Sequence, residues 1–490
     1  MPSMPHQAGT RGRYRAHPRR LENGADGVVD TNEVDRLLQE LEWNLEGARS
    51  SLREQEALLA RLKVCSRDAR TARPMFTDKG IEILSKYGLN NHTLSTSHEA
   101  LRCLANVLLL NESSRQIFAD LGFVSKAAER LKSENRDDEF LISRILLLLT
   151  YKTNVNFEEL TERHDLTGSI NEHIARHAKH LDKKGRSESQ SGPMEEVAMV
   201  ETLKLMFNLT HHYPSLIARF QPAIEPLIDL LLHSPLPTPP LQPPITYIIN
   251  ALLNLDLAPA SQSPEPTSEA VTSPLFPHAN PTKVVDRMIF IFNGALKDTP
   301  ERDLDAAAAP LCTLLRRAYE LADPETKAWM RGKLLPQERD RDQPLGKGES
   351  LSSRLLRMSC SPGLPTLREN VSCLLFELSD KDAEMLVRNI GYGYASGFLA
   401  THSIEFSVNA TGGRNVGSEG ENGINPVTGQ RLSAEEGRDG SEGQEMSEEE
   451  KEREAERLFV LFERLRATGV VDVVNPVQKA VDEGRFEEVS

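Results

Sequence analysis

Three pairs of polar residues stand four apart within stretches whose apolar residues recur at helical spacing: Arg102 with Asn106, Lys204 with Asn208, and Asn250 with Asn254. At roughly 100° of rotation per residue, the members of each pair are neighbours on one helix face. On the first helix they flank the apolar stripe of Leu101, Leu104, Ala105 and Leu108. An Asn offers a donor and an acceptor and a base offers a charge, so a row of such pairs suits a peptide backbone or a terminal carboxylate. The alternative is structural: each Asn bonds a neighbouring loop carbonyl and each base is solvated.

His173, His177 and His180 fall at i, i+4 and i+7, a face spacing that suits metal ligands. Arg176 and Lys179 crowd the same helix and disfavour a cation, and no Cys or Asp joins them nearby. The expectation is a solvated polar face and no metal site. Gly391-Tyr-Gly393-Tyr-Ala-Ser-Gly397 looks like a phosphate loop, but it follows a helical run, Asp382–Ile390, where a dinucleotide fingerprint needs a strand. A glycine-terminated helix and tight turn is the better reading. GxxxxGK(S/T), HExxH and GxSxG are all absent, so no catalytic residues and no cofactor are expected.

The elements that must hold these residues are helical. The 490 residues carry 58 Lys+Arg against 73 Asp+Glu, a net charge of −15, with 39% hydrophobic and 5% aromatic residues. Such length exceeds one compact core and allows several units or one elongated array. The acidic balance argues against a nucleic-acid binder, which needs a basic face. No apolar run reaches a membrane-spanning length, since even Phe140–Tyr151 is broken by Arg144, so a soluble chain is expected. Five cysteines, at 65, 103, 312, 360 and 373, include no CxxC pair and fit a reducing compartment. Capping boxes at Asp30-x-x-Glu33 and Thr96-x-x-Glu99 open amphipathic runs, and alternating β-branched stretches are missing.

A weak internal echo points to the architecture. Leu104-Ala-Asn106-Val107, Met206-Phe-Asn208-Leu209 and Leu252-Leu-Asn254-Leu255 share one pattern, with an intermediate at Leu148-Leu-Thr150 where Thr replaces Asn. The step lies close to the roughly 40–47 residues of an armadillo or HEAT unit. The fold class is therefore read as all-α, an armadillo/HEAT-like solenoid over 30–402, with loop insertions near 182–196, 234–244, 257–283 and 337–353. Its middle helices touch neighbours on most sides, which would bury Leu108, Leu109 and Leu110 together.

Residues 1–29 hold Arg11, Arg13, Arg15, Arg19 and Arg20 among Pro and Gly and are read as a disordered basic tail rather than a targeting helix. An acidic flexible arm covers 403–446, and its stretch from 416 onward is rich in Gly, Ser and Glu. Ser447-x-x-Glu450 then caps an amphipathic helix over 447–469 with Leu458, Phe459 and Phe462 on one face, and 470–490 forms a tail. That helix packs on its own domain or, through the arm, clamps a partner.

Six segments carry a family resemblance: Leu101-Arg-Cys-Leu-Ala-Asn106, Asp137-Asp-Glu-Phe-Leu-Ile-Ser-Arg144, Glu201-Thr-Leu-Lys-Leu-Met-Phe-Asn-Leu-Thr210, Gly391-Tyr-Gly-Tyr-Ala-Ser-Gly397, Ile424-Asn-Pro-Val-Thr-Gly429 and Glu448–Leu465. In this order they resemble the synembryn family, the resistance-to-inhibitors-of-cholinesterase proteins. The resemblance implies a cytosolic exchange factor and folding chaperone for heterotrimeric G-protein α subunits (Gα), recruited to the cell cortex or plasma membrane through its partner. It implies a solenoid whose concave face grips the C-terminal helix of the Gα Ras-like domain and stabilises the nucleotide-free state. A basic pair near the end of an early helix then falls on Lys63 and Arg67, the motif Asn on Asn106, and a phosphorylation site in the acidic arm on Ser418. The competing function is a passive armadillo-type peptide-binding adaptor without exchange activity.

If the helix over 447–469 clamps the partner, truncation after Asn415 should leave affinity for the isolated Gα C-terminal peptide nearly unchanged while lowering exchange on whole Gα. Loss of peptide binding, with apolar surface newly open to a dye, would make the helix a cap of the solenoid instead.

Overall fold

Leucine-rich runs with three- and four-residue spacing fold here as stacked helices, and polar or proline-rich stretches separate them. The computed structural model describes residues 31–47, 50–90, 92–184, 192–258, 273–405, 423–425 and 427–436. Asp30, Ser418 and the helix expected over 447–469, with Leu458, Phe459 and Phe462, lie outside them. The described chain is all-α, with one isolated bridge, Ile424 to Arg431, and no helix long and apolar enough to cross a membrane.

In chain order the α-helices are α1 Thr31–Leu45, α2 Leu52–Cys65, α3 Asp78–Leu89, α4 Leu94–Leu110, α5 Glu112–Asp120, α6 Val124–Arg130 and α7 Arg136–Leu149. They continue as α8 Phe157–His164, α9 Leu166–Lys184, α10 Pro193–His212, α11 Ile224–His233, α12 Ile245–Asn254, α13 Lys283–Asp298 and α14 Glu301–Leu321. The series closes with α15 Pro324–Leu334, α16 Leu351–Ser359, α17 Pro365–Leu378, α18 Ala383–Ile390, α19 Tyr392–Thr401 and α20 Leu432–Glu436. They divide into two compact units, Met1–Ser114 and Arg115–Ser490.

In the first unit α4 packs on α2 and α3. Leu59, Leu62, Leu101, Leu104 and Leu108 are fully buried, each contributing about 1.5–3 kcal/mol. The Tyr87 hydroxyl donates to the Leu41 carbonyl at 3.0 Å, tying α3 to α1. Ser51 caps α2 in a capping box with Glu54. Thr93, not Thr96, caps α4 by accepting from the Thr96 N–H; Thr96 lies one turn inside, so Glu99 is free for another task. Leu108 is buried as expected, but Leu109 and Leu110 are exposed, because α4 is covered on only part of its circumference at this end.

In the second unit α7 packs on α10, α10 on α12, α12 on α14, and α14 on α17, while α9 and α11 pack beside this stack and α16 against its last member. Stacking of one repeat on the next is the armadillo arrangement. Side-chain caps start several of these helices: Asn135 for α7, Asn156 for α8, Asp323 for α15, Ser350 for α16 and Asp382 for α18. Gly391 ends α18 at φ 79°, and α19 starts at once where a tight turn was expected.

The histidine face is the main correction. His180 is exposed, but His173 and His177 are buried at 2% exposure, because α9 lays them against the fully buried Glu139 of α7. His177 lies between two carboxylates, with Nε2 2.7 Å from Glu139 and Nδ1 2.8 Å from Glu195 of α10. Both nitrogens must donate there, which requires the imidazolium. His173 Nε2 faces the Leu131 carbonyl at 2.6 Å, so that nitrogen donates and Nδ1 accepts from Arg176 at 2.6 Å. Arg176 and Thr202 also bond Glu139, at 2.5 and 3.0 Å, and Arg136 pairs with Glu195. A buried ion network thus fastens α9 and α10 to α7 where a solvated face was expected.

Burial alone would lower the His177 pKa, but its bonds to Glu139 and Glu195 outweigh this and raise it above the ordinary value. Burial favours the neutral carboxyl of Glu195, yet His177 and Arg136 bring it down to about 2. Burial works the same way on Glu139, and His177, His173 and Arg176 together hold it below the usual range. A raised imidazole stabilises fully below its unfolded value of about 6.5 and loses that contribution as pH rises through the folded value. The lowered carboxyls lose theirs on the acid side. The melting temperature of the second unit should therefore fall as pH rises above about 6.5, and His177→Gln should abolish that slope; the same slope in the variant would contradict the network.

Candidate functional site

The last carbonyls of a helix have no intrahelical partner; here the Ser66 and Thr150 hydroxyls donate to the Lys63 and Leu147 carbonyls, and the next stacked helix reaches back to that end. In the first unit Asn106 Nδ2 of α4 donates to Ser66 Oγ at 2.9 Å, and Ser66 is the C-cap of α2. In the second, Asn208 Nδ2 of α10 donates to Oγ1 of Thr150, the C-cap of α7, at 2.8 Å. Asn254 of α12 donates to the Phe207 carbonyl at 3.2 Å and to Thr210 Oγ1 at 3.1 Å, both on α10. One step on, Arg317 of α14 donates to the Leu253 and Leu255 carbonyls. The asparagine amides are thus engaged within the protein, and no described donor reaches the Oδ1 of Asn106, Asn208 or Asn254.

Carboxylates link the bases in the same register. Glu99 of α4 holds Lys63 of α2 at 2.5 Å and Arg102, one turn along its own helix, at 2.7 Å. Burial pushes the Glu99 carboxyl up, and the two cations outweigh it and hold it below the usual range. Glu201 of α10 repeats the arrangement with Arg144 of α7 at 3.2 Å and Lys204 at 2.9 Å. Arg144 lies over the Phe140 ring and Lys204 over the Tyr247 ring of α12, each 5.0 Å from the centroid. In the second cluster one carboxylate thus serves two cations.

Two expected contact residues have no described side-chain partner. Arg67, just past the end of α2, is exposed, and Asn250 on α12 is half-buried. Around Arg67 the first unit exposes Val64 at 58% and, near Asn106, Leu109 at 56%. Arg67, Val64 and Leu109 are thus exposed groups of the first unit. Periodicity misread Leu109 and Leu110, at the end of the leucine run, as buried.

Residues 58–485 match the family described as guanine nucleotide exchange factor synembryn. This chain belongs to the synembryn family. Chaperone Ric-8A of Macaca fascicularis is 25% identical over 452 residues, 84% of this chain and 81% of its own. Chaperone Ric-8A of Danio rerio is 26% identical over 466 residues, 85% and 81% of the two chains. A synembryn-like chaperone of Schizosaccharomyces pombe is 37% identical over 170 residues, 32% of this chain and 31% of that protein.

Two motifs of the synembryn resemblance, far apart in sequence, meet in the structure. The Gly393 N–H donates to the Val427 carbonyl at 3.0 Å. A Cβ on Gly391 would stand 2.8 Å from that same oxygen, so both the positive φ and the close approach require glycine there. The buried Arg341 guanidinium donates to the Gly429 carbonyl at 2.9 Å and the Asn389 carbonyl at 3.0 Å, fastening the 424–431 segment to the end of α18. Glycines that resemble a phosphate loop thus form a seat for the chain's own backbone.

Asn208→Ala should destabilise the second unit by about 1 kcal/mol, because it removes the amide's bond to the part-buried Thr150 hydroxyl, which keeps its own bond to the Leu147 carbonyl. Urea unfolding checks this; an unchanged midpoint would show that the amide bond is not a tie between α7 and α10.

Proposed function

We propose that this chain is a non-receptor guanine-nucleotide exchange factor and folding chaperone for Gα, acting in the cytoplasm. The match to an exchange-factor family over 58–485 carries the reading, and relatives named as chaperones support its second half. Neither activity requires a covalent step.

The surface of the first unit fits the chemistry of the proposed ligand, the C-terminal helix of the Gα Ras-like domain. Such a helix ends in unpaired carbonyls and a chain carboxylate, a negative pole. Arg67 supplies an uncommitted guanidinium for that pole, and Lys63 and Arg102, both held by Glu99, lie on the same unit. Val64 and Leu109 offer apolar surface to the face of the helix. A protein that binds the Gα helix more tightly when it is displaced favours the open nucleotide site, and by linkage weakens GDP by the same factor.

Arg67→Glu should lower affinity for a Gα C-terminal peptide by about tenfold or more, the range of one charge-assisted contact, with the melting temperature unchanged because the side chain has no internal partner. Fluorescence anisotropy of a labelled peptide reads this. Equal affinity would remove Arg67 from the contact, and a large loss of stability would make it a structural residue.

A further inference from the structure

α17 presents Cys373 half-buried beside Glu369, four residues earlier, and the end of α19 brings His402 to both. His402 Nε2 lies 2.9 Å from Glu369 Oε1. Cys373 Sγ lies 3.4 Å from the same oxygen, and the three donor atoms are all within 4.8 Å of one another. We propose that Glu369, Cys373 and His402 form a zinc-binding site joining α17 to the end of α19.

Tetrahedral zinc, with bonds of about 2.0–2.3 Å, sets its ligand atoms roughly 3.3–3.8 Å apart. Two of the observed separations, 2.9 and 3.4 Å, lie near that range, and the third is under 4.8 Å, so side-chain rotation can bring the three atoms around one ion. A thiolate, an imidazole and a carboxylate together select zinc over magnesium or calcium, which take oxygen ligands. Three protein ligands leave a fourth position for water or a partner's side chain.

The frame is rigid on both sides. Glu369 and Cys373 share one face of α17 at i, i+4. His402 is the C-cap of α19, its N–H donating to the Phe398 carbonyl at 3.0 Å. Its ring lies 4.3 Å from the Phe398 ring, which lies 5.3 Å from Phe376 of α17. Glu369 and His402 are 51% and 37% exposed, so an ion can enter from solvent. Burial pushes the Cys373 thiol up to about 11, with the nearby Arg316 charge working in the opposite direction. Binding therefore displaces a proton: the S–H bond breaks, the sulfur lone pair forms the bond to zinc, and the proton goes to solvent. Twenty-nine residues separate Cys373 from His402, so spacing alone gives no sign of the site.

The test uses the full chain, stripped with a chelator and titrated with Co2+. The expected result is a one-to-one complex with a thiolate-to-cobalt charge-transfer band and the visible bands of a tetrahedral ion, all displaced by Zn2+. Cys373→Ser should lose the charge-transfer band, and His402→Ala should weaken Co2+ binding by about tenfold or more, with circular dichroism unchanged in both. Cys360, the exposed free thiol, is the control, and Cys360→Ser should bind as the parent does. No saturable band, a band that survives Cys373→Ser, or one lost with Cys360→Ser would overturn the proposal.

Discussion

Side chains that reach from one stacked helix to the end of the one before it, meeting a capping hydroxyl or a backbone carbonyl there, set the register on which the rest of the structure depends. Asn106, Asn208, Asn254 and Arg317 each reach back to the end of the preceding helix. Each bond contributes only about 0.5–1.5 kcal/mol net, but leaving a buried end unsatisfied costs more. The bond also sets register: once the amide meets the Ser or Thr at the previous helix end, the residues one and two turns earlier are aligned as well. Glu99 and Glu201, each seven residues before such an asparagine, thereby fall between two bases.

The charge pattern follows from that register. In a chain of net charge −15, Glu99 and Glu201 each bridge two bases along these helix edges. The asparagines hold the frame, and the bases, with Val64 and Leu109, are the groups proposed to meet the partner. This division separates residues whose loss should lower stability from those whose loss should lower partner affinity. Each tenfold weakening of nucleotide binding asks for about 1.4 kcal/mol of differential affinity between closed and open Gα, which a few such contacts can supply without chemistry.

Helical periodicity and the recurring Asn made the all-α, armadillo-like class legible in the sequence, because both arise from local spacing. The role of the asparagines was half legible: the helix flank was right, but which way the amide turns depends on a hydroxyl some 40 to 58 residues earlier. The histidine face was misread because Glu139, which makes burial of His173 and His177 tolerable, lies on another helix. The Leu108–Leu110 run fails for a related reason: hydrophobicity does not say which sides of a helix end its neighbours cover. The seat of the 424–431 segment on Gly391 and Gly393 is likewise a tertiary fact, and the positive φ behind it appears in the sequence only as a glycine.

The measurement that bears most directly on the account is the rate of GDP release from purified Gα with and without this chain. The account predicts faster release and a stable complex with nucleotide-free Gα that dissociates when GTP is added. Binding of Gα with an unchanged GDP release rate would contradict it and leave a passive helix-binding adaptor.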